Sequence, residues 1–173
     1  MTLEQLVRRA QSGDTEAFSE LMEQSMQMLY KTARAILSSD EDAADAIQDT
    51  ILAAFEGLGR LKKPNYFSTW LVRILVNRCR DQIRKKRKLI YMDQIPEQPG
   101  VEREYEAAEW NLVLKKLDEK YRLLVVLHYV EGFNAREISE ILDIPAATVR
   151  TRLARAKRLL AEYIEEGKEG KTE

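Results

Sequence analysis

Apolar residues recur along this chain every three or four positions, and strand-like alternation is absent, so the pattern predicts helices throughout. Leu3, Leu6, Val7 and Ala10 mark a short opening helix that Ser12-Gly13-Asp14 ends. Asp14 is placed to cap a second helix, running to about Ser38, that buries Phe18, Leu21, Met22, Leu29, Ala33, Ile36 and Leu37. Ser39 and Asp40 start a third, where Asp40, Glu41 and Asp42 lie at the positive end of the helix dipole. Its inward residues are Ile47, Ile51, Ala54, Phe55 and Leu58, and Gly57 and Gly59 end it. A further helix reaching about Lys88 is apolar nearly all round at first, through Trp70, Leu71, Val72, Ile74, Leu75 and Val76. Such a helix belongs at the centre of a bundle.

The pattern then fails. Pro96, Pro99 and Gly100 deny residues 89–106 a regular helix, and Glu97, Glu102, Glu104 and Glu106 make the segment acidic. Trp110, Leu114 and Leu117 begin a second bundle. Asp118 is placed to cap a helix from Glu119 to about Val130, with Leu123, Leu124, Leu127 and Val130 available for burial. After the turn Glu131-Gly132-Phe133, Asn134 and Glu137 have the spacing of a capping box for a helix with Ile138, Ile141 and Leu142 on its apolar face. Asp143 and Ile144 break that pattern, and Pro145 suits the first turn of a last helix. Val149, Leu153, Ala156 and Leu160 form its buried stripe, and the charged tail after Ile164 is expected to be disordered. The prediction is an all-α fold of two small helical bundle domains joined by a linker, the C-terminal one containing a helix-turn-helix. The boundaries are a domain at 1–90, an acidic linker at 91–106, a second domain at 107–165 and a tail at 166–173.

Charge changes the picture more than composition does. The chain has 28 Lys and Arg against 29 Asp and Glu, a formal net charge of −1, yet the two signs are segregated. Acids gather at Asp40–Asp49 and Glu97–Glu109, bases at Arg78–Lys88 and Arg150–Arg158. Cys79 and His128 are the only residues of their kinds, which rules out an intramolecular disulfide and a Cys/His zinc site. The amphipathic N-terminus lacks the long apolar core of a signal peptide, and no run is apolar enough to cross a bilayer. A soluble, cytoplasmic protein with no membrane insertion is expected.

Three stretches carry candidate chemistry. The last helix places Thr148, Thr151, Arg152, Arg155 and Arg158 opposite its apolar stripe, with Arg150 and Lys157 on the flanks, and no acid occurs from Ala146 to Ala161. An ordinary solvated helix intersperses Glu among its bases, whereas this face fits the major groove of DNA. There Arg bonds guanine and the methyls of Thr and Ala meet thymine. The loop Arg60–Trp70 mixes bases with aromatics: Lys62, Asn65, Tyr66 and Phe67 can stack an unpaired base and hold its phosphates, or Phe67 and Trp70 can simply enter the core. A polar stripe through Arg73, Asn77, Arg80, Arg84 and Arg87 continues from it and suits a nucleic-acid backbone.

The third stretch is the face holding Asp45, Gln48, Asp49, Leu52 and Glu56. It reads as a solvated acidic face, a metal site, or a docking face for a basic partner. Bare carboxylates on an open helix with no His beside them are poor metal ligands, and Leu52 among the acids favours docking. A metal-dependent nuclease would also need a convergent acid/base set or a phosphate loop, and the chain shows neither. No catalysis, cofactor or metal is expected.

Three segments in order resemble the sigma-70 family, specifically its small extracytoplasmic-function (ECF) sigma factors. They are Asp42-Ala-Ala-Asp-Ala-Ile-Gln-Asp-Thr-Ile-Leu-Ala-Ala-Phe55, Phe67-Ser-Thr-Trp-Leu-Val-Arg-Ile-Leu-Val-Asn-Arg-Cys79, and Tyr121 through Leu160 with Glu131-Gly132 and Thr148-Val-Arg-Thr-Arg-Leu-Ala-Arg-Ala156. The resemblance implies a subunit that binds core RNA polymerase and directs it to promoters. It implies that Asp45, Gln48, Asp49 and Leu52 meet the polymerase clamp helices, and that the loop Lys62–Ser68 captures a flipped base. Asn77, Arg80 and Arg84 would lie along the single-stranded −10 element, while Arg150, Thr151, Ala154 and Arg155 would contact the −35 duplex. An anti-sigma factor is a further partner that the family often has. The chain departs from the family's pattern at Asp118, Ala147 and His128, where Pro, Gly and Arg are usual. The alternative is a free-standing helix-turn-helix repressor, which would need to dimerise and would leave the N-terminal basic helix without a role.

Overall fold

The computed structural model describes residues 1–93 and 109–170, with side chains described for 1–90 and 112–170. Among these residues every regular element is helical. The chain divides into two compact units, Met1–Gly100 and Val101–Glu173.

The first unit contains α1 (Leu3–Gln11), α2 (Thr15–Ile36), α3 (Asp40–Gly57) and α4 (Phe67–Asp93). Two short 3-10 turns, Leu58–Arg60 and Pro64–Tyr66, connect α3 to α4. The helix starts are set locally. The Thr2 hydroxyl accepts from the Gln5 amide, the Asp14 carboxylate from Ala17 N–H, and the Ser39 hydroxyl from Asp42 N–H. Each such cap is worth about 1 kcal/mol over alanine. The N-terminal half of α4 is the central strut, packed on both α2 and α3. Phe67, Leu71, Val72, Leu75, Val76 and Cys79 are wholly buried there, as are Leu21, Leu29 and Ala33 of α2 and Ala43, Ala46 and Ala54 of α3. The small side chains of α3 let its backbone approach α4 closely, and each buried Leu contributes about 1.5–3 kcal/mol.

The second unit contains α5 (Glu109–Lys116), α6 (Glu119–Val125), α7 (Ala135–Leu142) and α8 (Ala146–Glu169). A π-helical turn, Val126–Val130, extends α6, with Glu131 N–H donating to Val126 O at 2.9 Å. Gly132 follows at φ +79°, a conformation that side chains disfavour, and the reversal seats Phe133 in the core. α8 packs against α5, α6 and α7, and Leu124, Leu127, Ile138, Ile141 and Val149 are essentially without exposure.

Several expected limits move. α2 stops at Ile36, because Leu37 turns to extended backbone. α4 continues past Lys88 to Asp93, three residues into the expected linker, whose residues 94–106 lie outside the described residues. α8 runs to Glu169, so residues 166–169 are helical rather than part of a disordered tail. Pro145 stands at the N-cap, one position before the first turn of α8. The Asp118 side chain makes no capping bond although its residue occupies that position. Val130 is 40% exposed, since the π turn rotates it off the inward face of α6.

Candidate nucleic-acid interface

The helix-turn-helix is held by short-range bonds. Asn134 accepts from Glu137 N–H at 2.9 Å while the Glu137 carboxylate accepts from Asn134 N–H at 3.3 Å. Asp143 ends α7 in the left-handed region at φ +55°, and the Ser139 hydroxyl donates to Ile144 O across the turn. Val149, Leu153, Ala156 and Leu160 then face the core, as their spacing requires. At 100° per residue, Thr151, Ala154, Arg155 and Arg158 lie opposite that stripe, and all four are exposed. Arg150 and Lys157 are exposed on one flank. Arg152 is only half-exposed, because it falls on the other flank beside α8's buried edge, and not in the centre of the cationic face as expected. The Thr151 hydroxyl donates back to Ala147 O at 2.9 Å, which leaves its oxygen free to accept and its methyl exposed.

In the first unit the loop before α4 is built on buried anchors. Pro64 and Phe67 are buried, Phe67 completely, and Trp70 is half-buried against Phe67 with ring centroids 6.0 Å apart. Gly57 permits that packing: a Cβ there would lie 3.3 Å from Trp70 Cζ2. The side chains left outside are Lys62, Lys63, Asn65 and Tyr66. Tyr66 is 37% exposed, with Lys63 Nζ 5.8 Å from its ring centroid. Phe67 was expected among the base-stacking residues; its burial removes it from that surface, because the first turn of α4 drives it into the bundle.

Along α4, Arg73, Asn77 and Arg84 are exposed and Arg80 is half-exposed, on one stripe. Asp81 pairs with Arg84 at 3.4 Å and with Arg78 at 3.7 Å, and Lys86 pairs with Asp42 of α3. The basic end of α4 is thus partly neutralised by its own neighbours.

On α3, Asp45, Gln48, Asp49 and Leu52 are exposed together, Leu52 to 60%. Phe55 joins them: it was expected to face inward, yet it is 59% exposed and only edges onto Phe18 at 5.2 Å. The signal was its i+3 spacing from Leu52, which extends the apolar strip along the acidic face. A shallow groove beside this face is lined by Asp49, Leu52 and Glu56 of α3 and Arg78, Asp81 and Lys85 of α4. Among the described residues no three His, Cys, Asp or Glu side chains come together as a metal site needs, and no helix is long and apolar enough to cross a membrane.

Comparison with known proteins places the chain in a family. The family description "Sigma-70 region 2" matches residues 21–89, and "Sigma-70, region 4" matches residues 108–160. The chain is 28% identical to the ECF RNA polymerase sigma factor SigW of Bacillus subtilis, over 95% of this chain and 97% of that protein. It is 30% identical to the ECF RNA polymerase sigma factor SigM of Mycobacterium tuberculosis, over 88% of this chain and 80% of that one. Among solved structures, CnrH in complex with the cytosolic domain of CnrY is similar with a TM-score of 0.69 and 28% identity, covering 94% and 97% of the two chains. With both regions present in order on one chain whose described regular elements are all helical, the protein belongs to the sigma-70 family, in its ECF group.

Proposed function

We propose that this chain is the promoter-specificity subunit of RNA polymerase in the manner of its family, binding the core enzyme through the first unit and promoter DNA through both. The observation that carries the reading is the coincidence of a region 2 match and a region 4 match with a separate exposed cationic surface in each unit. A free-standing repressor is not favoured, since it leaves the match over residues 21–89 without purpose.

Each surface takes a role that its chemistry supports. Asp45, Gln48, Asp49 and Leu52, with Phe55 added, offer a strip of carboxylates and apolar groups to a basic, partly apolar face of the core enzyme. Lys62, Asn65 and Tyr66 receive an unstacked base, and Arg73, Asn77, Arg80 and Arg84 follow the single-stranded −10 backbone. Arg150, Thr151, Ala154 and Arg155 read the −35 duplex, while Arg152, Lys157 and Arg158 hold its phosphates. Nothing in these roles calls for bond-making chemistry, so the protein acts by positioning and not as an enzyme, in the cytoplasm where polymerase works. CnrH was solved with the cytosolic domain of CnrY, which supports a protein partner for this chain as well, and the family resemblance makes an anti-sigma factor the candidate.

Run-off transcription with purified core polymerase on a genomic fragment library tests the reading. Initiation at discrete sites only when this protein is added is the expected result. Tight operator binding by the protein alone, with no effect on core polymerase, would return the repressor reading.

A further inference from the structure

We infer that Gln11, at the end of α1, is a positioning residue for the base-capturing loop, a role that rests on the proposed reading of that loop. The Gln11 side-chain amide donates to Leu58 O at 3.0 Å and to Leu61 O at 2.8 Å. These two carbonyls bracket the 3-10 turn Leu58–Arg60, which Leu61 N–H closes by donating to Leu58 O at 3.1 Å. Leu61 then leads directly into Lys62, Lys63 and the turn that presents Asn65 and Tyr66.

α1 is firmly seated: Leu6 and Val7 are buried, and the helix packs on both 3-10 turns. Its C-terminus therefore acts as a fixed post, and the two NH2 hydrogens of Gln11 hold the near end of the loop to it. Pro64 and Phe67 hold the far end by burial. The exposed side chains of the loop are thus carried between two anchors: burial of Pro64 and Phe67 at the far end, and at the near end burial of Leu58 together with the Gln11 amide, which alone ties the turn's carbonyls to α1. Without Gln11, Leu58 O keeps the Leu61 N–H, but the half-buried Leu61 carbonyl loses the Gln11 donor and seeks water, and the backbone leading into Lys62 moves to reach it. α1 also lies outside the matched region 2 segment, which begins at residue 21, so the match assigns it no part in base capture.

The experiment uses holoenzyme on duplex templates randomised over the −35 and −10 elements, sequenced before and after run-off transcription. Gln11→Met keeps the shape and removes both donors, Gln11→Glu is a second donor-free variant, and Gln11→Lys keeps a donor. Tyr66→Ala marks the −10 position that the loop reads. Gln11→Met and Gln11→Glu are expected to weaken preference at that same position about tenfold, the order of loss when a contact group shifts by a fraction of an ångström to an ångström. Preference at the −35 positions stays at wild type, and Gln11→Lys retains most of the −10 discrimination. If Tyr66→Ala relaxes one position and the donor-free variants relax none, the positioning role is wrong and the loop reading stands. The same holds if they weaken every position alike or only lower the thermal midpoint. If Tyr66→Ala relaxes no position, the loop reading itself fails and this inference falls with it.

Discussion

The guanidinium of Arg155 lies over the ring of Tyr121, 5.9 Å from its centroid, so α6 contributes directly to the disposition of a side chain on the exposed face of α8. Lys120 Nζ is 5.0 Å from the same ring. A cation over an aromatic face gains about 0.5–1 kcal/mol at an exposed site, enough to bias the Arg155 rotamer without locking it.

That contact sharpens the division of roles along α8. Arg155→Ala is expected to cost about 1–3 kcal/mol at one −35 position and to relax the preference there. Arg158→Ala should weaken all sequences alike and flatten the salt dependence, as loss of a phosphate contact does. Binding of both variant holoenzymes to single-base −35 variants at several salt concentrations separates the two. If Arg158→Ala alone changes the preferred base, the roles are reversed.

Tyr66 and Phe67 are neighbours with opposite fates, and their variants should differ in kind. Tyr66→Ala is expected to leave the stability of the first unit nearly unchanged and to impair promoter opening more than closed-complex formation, since stacking matters only once a base has left the helix. Phe67→Ala empties a fully buried site and should destabilise that unit by about 3–5 kcal/mol. Permanganate reactivity of bubble thymines and thermal unfolding read the two effects. Normal thymine reactivity with Tyr66→Ala argues against base capture by this loop.

Asp45 and Asp49 lie one turn apart beside exposed Leu52 and Phe55. Changing both to Lys is expected to weaken association with core polymerase, more strongly at low ionic strength, where the native attraction is least screened. Leu52→Ala should weaken it with little salt dependence, because its contribution is apolar burial. Co-elution with core that is unchanged at every salt concentration contradicts the docking role.

Asp14 supplies a pH-dependent term. The Ala17 N–H and the Arg9 guanidinium, whose Nε is 3.0 Å from Asp14 Oδ2, hold its carboxyl below the usual carboxylate range. A group whose folded pKa is depressed contributes stability above its unfolded pKa, and that contribution disappears as the pH falls through the folded value. Asp14→Asn keeps a capping oxygen but not the charge. The variant should therefore unfold at a lower temperature than wild type near neutral pH, and the gap should close in acid below the ordinary carboxylate range. A gap that persists unchanged at the lowest pH would show that the charge has no part in it.

Much of this architecture is local and could be read along the chain. Asp14, Ser39 and Asn134 are caps because a short acceptor side chain meets amides two or three residues ahead, whatever surrounds it. α8 divides cleanly into a buried and a cationic face, because a period of 3.6 residues settles which side can be buried. The same period sets Asp45, Gln48, Asp49 and Leu52 apart from the inward face of α3, and Lys62, Asn65 and Tyr66 stand out as bases and aromatics in a loop between helices; all seven are exposed.

Periodicity ceases to discriminate where a helix end or an aromatic run offers two apolar faces. The pattern leaves Phe67 open to either side and assigns Phe55 inward, and packing buries Phe67 and leaves Phe55 out, where Phe18 covers only one edge of it. Gln11 carries no signal of its own among other polar residues at a helix end. Its bonds reach carbonyls 47 and 50 residues away, and Arg155 meets Tyr121 across the fold of the second unit. Helix, cap and charged face depend on neighbours within about a turn or two and are written in the order of the residues. Contacts between residues distant in the chain exist only after the helices have packed, and tertiary structure alone decides them.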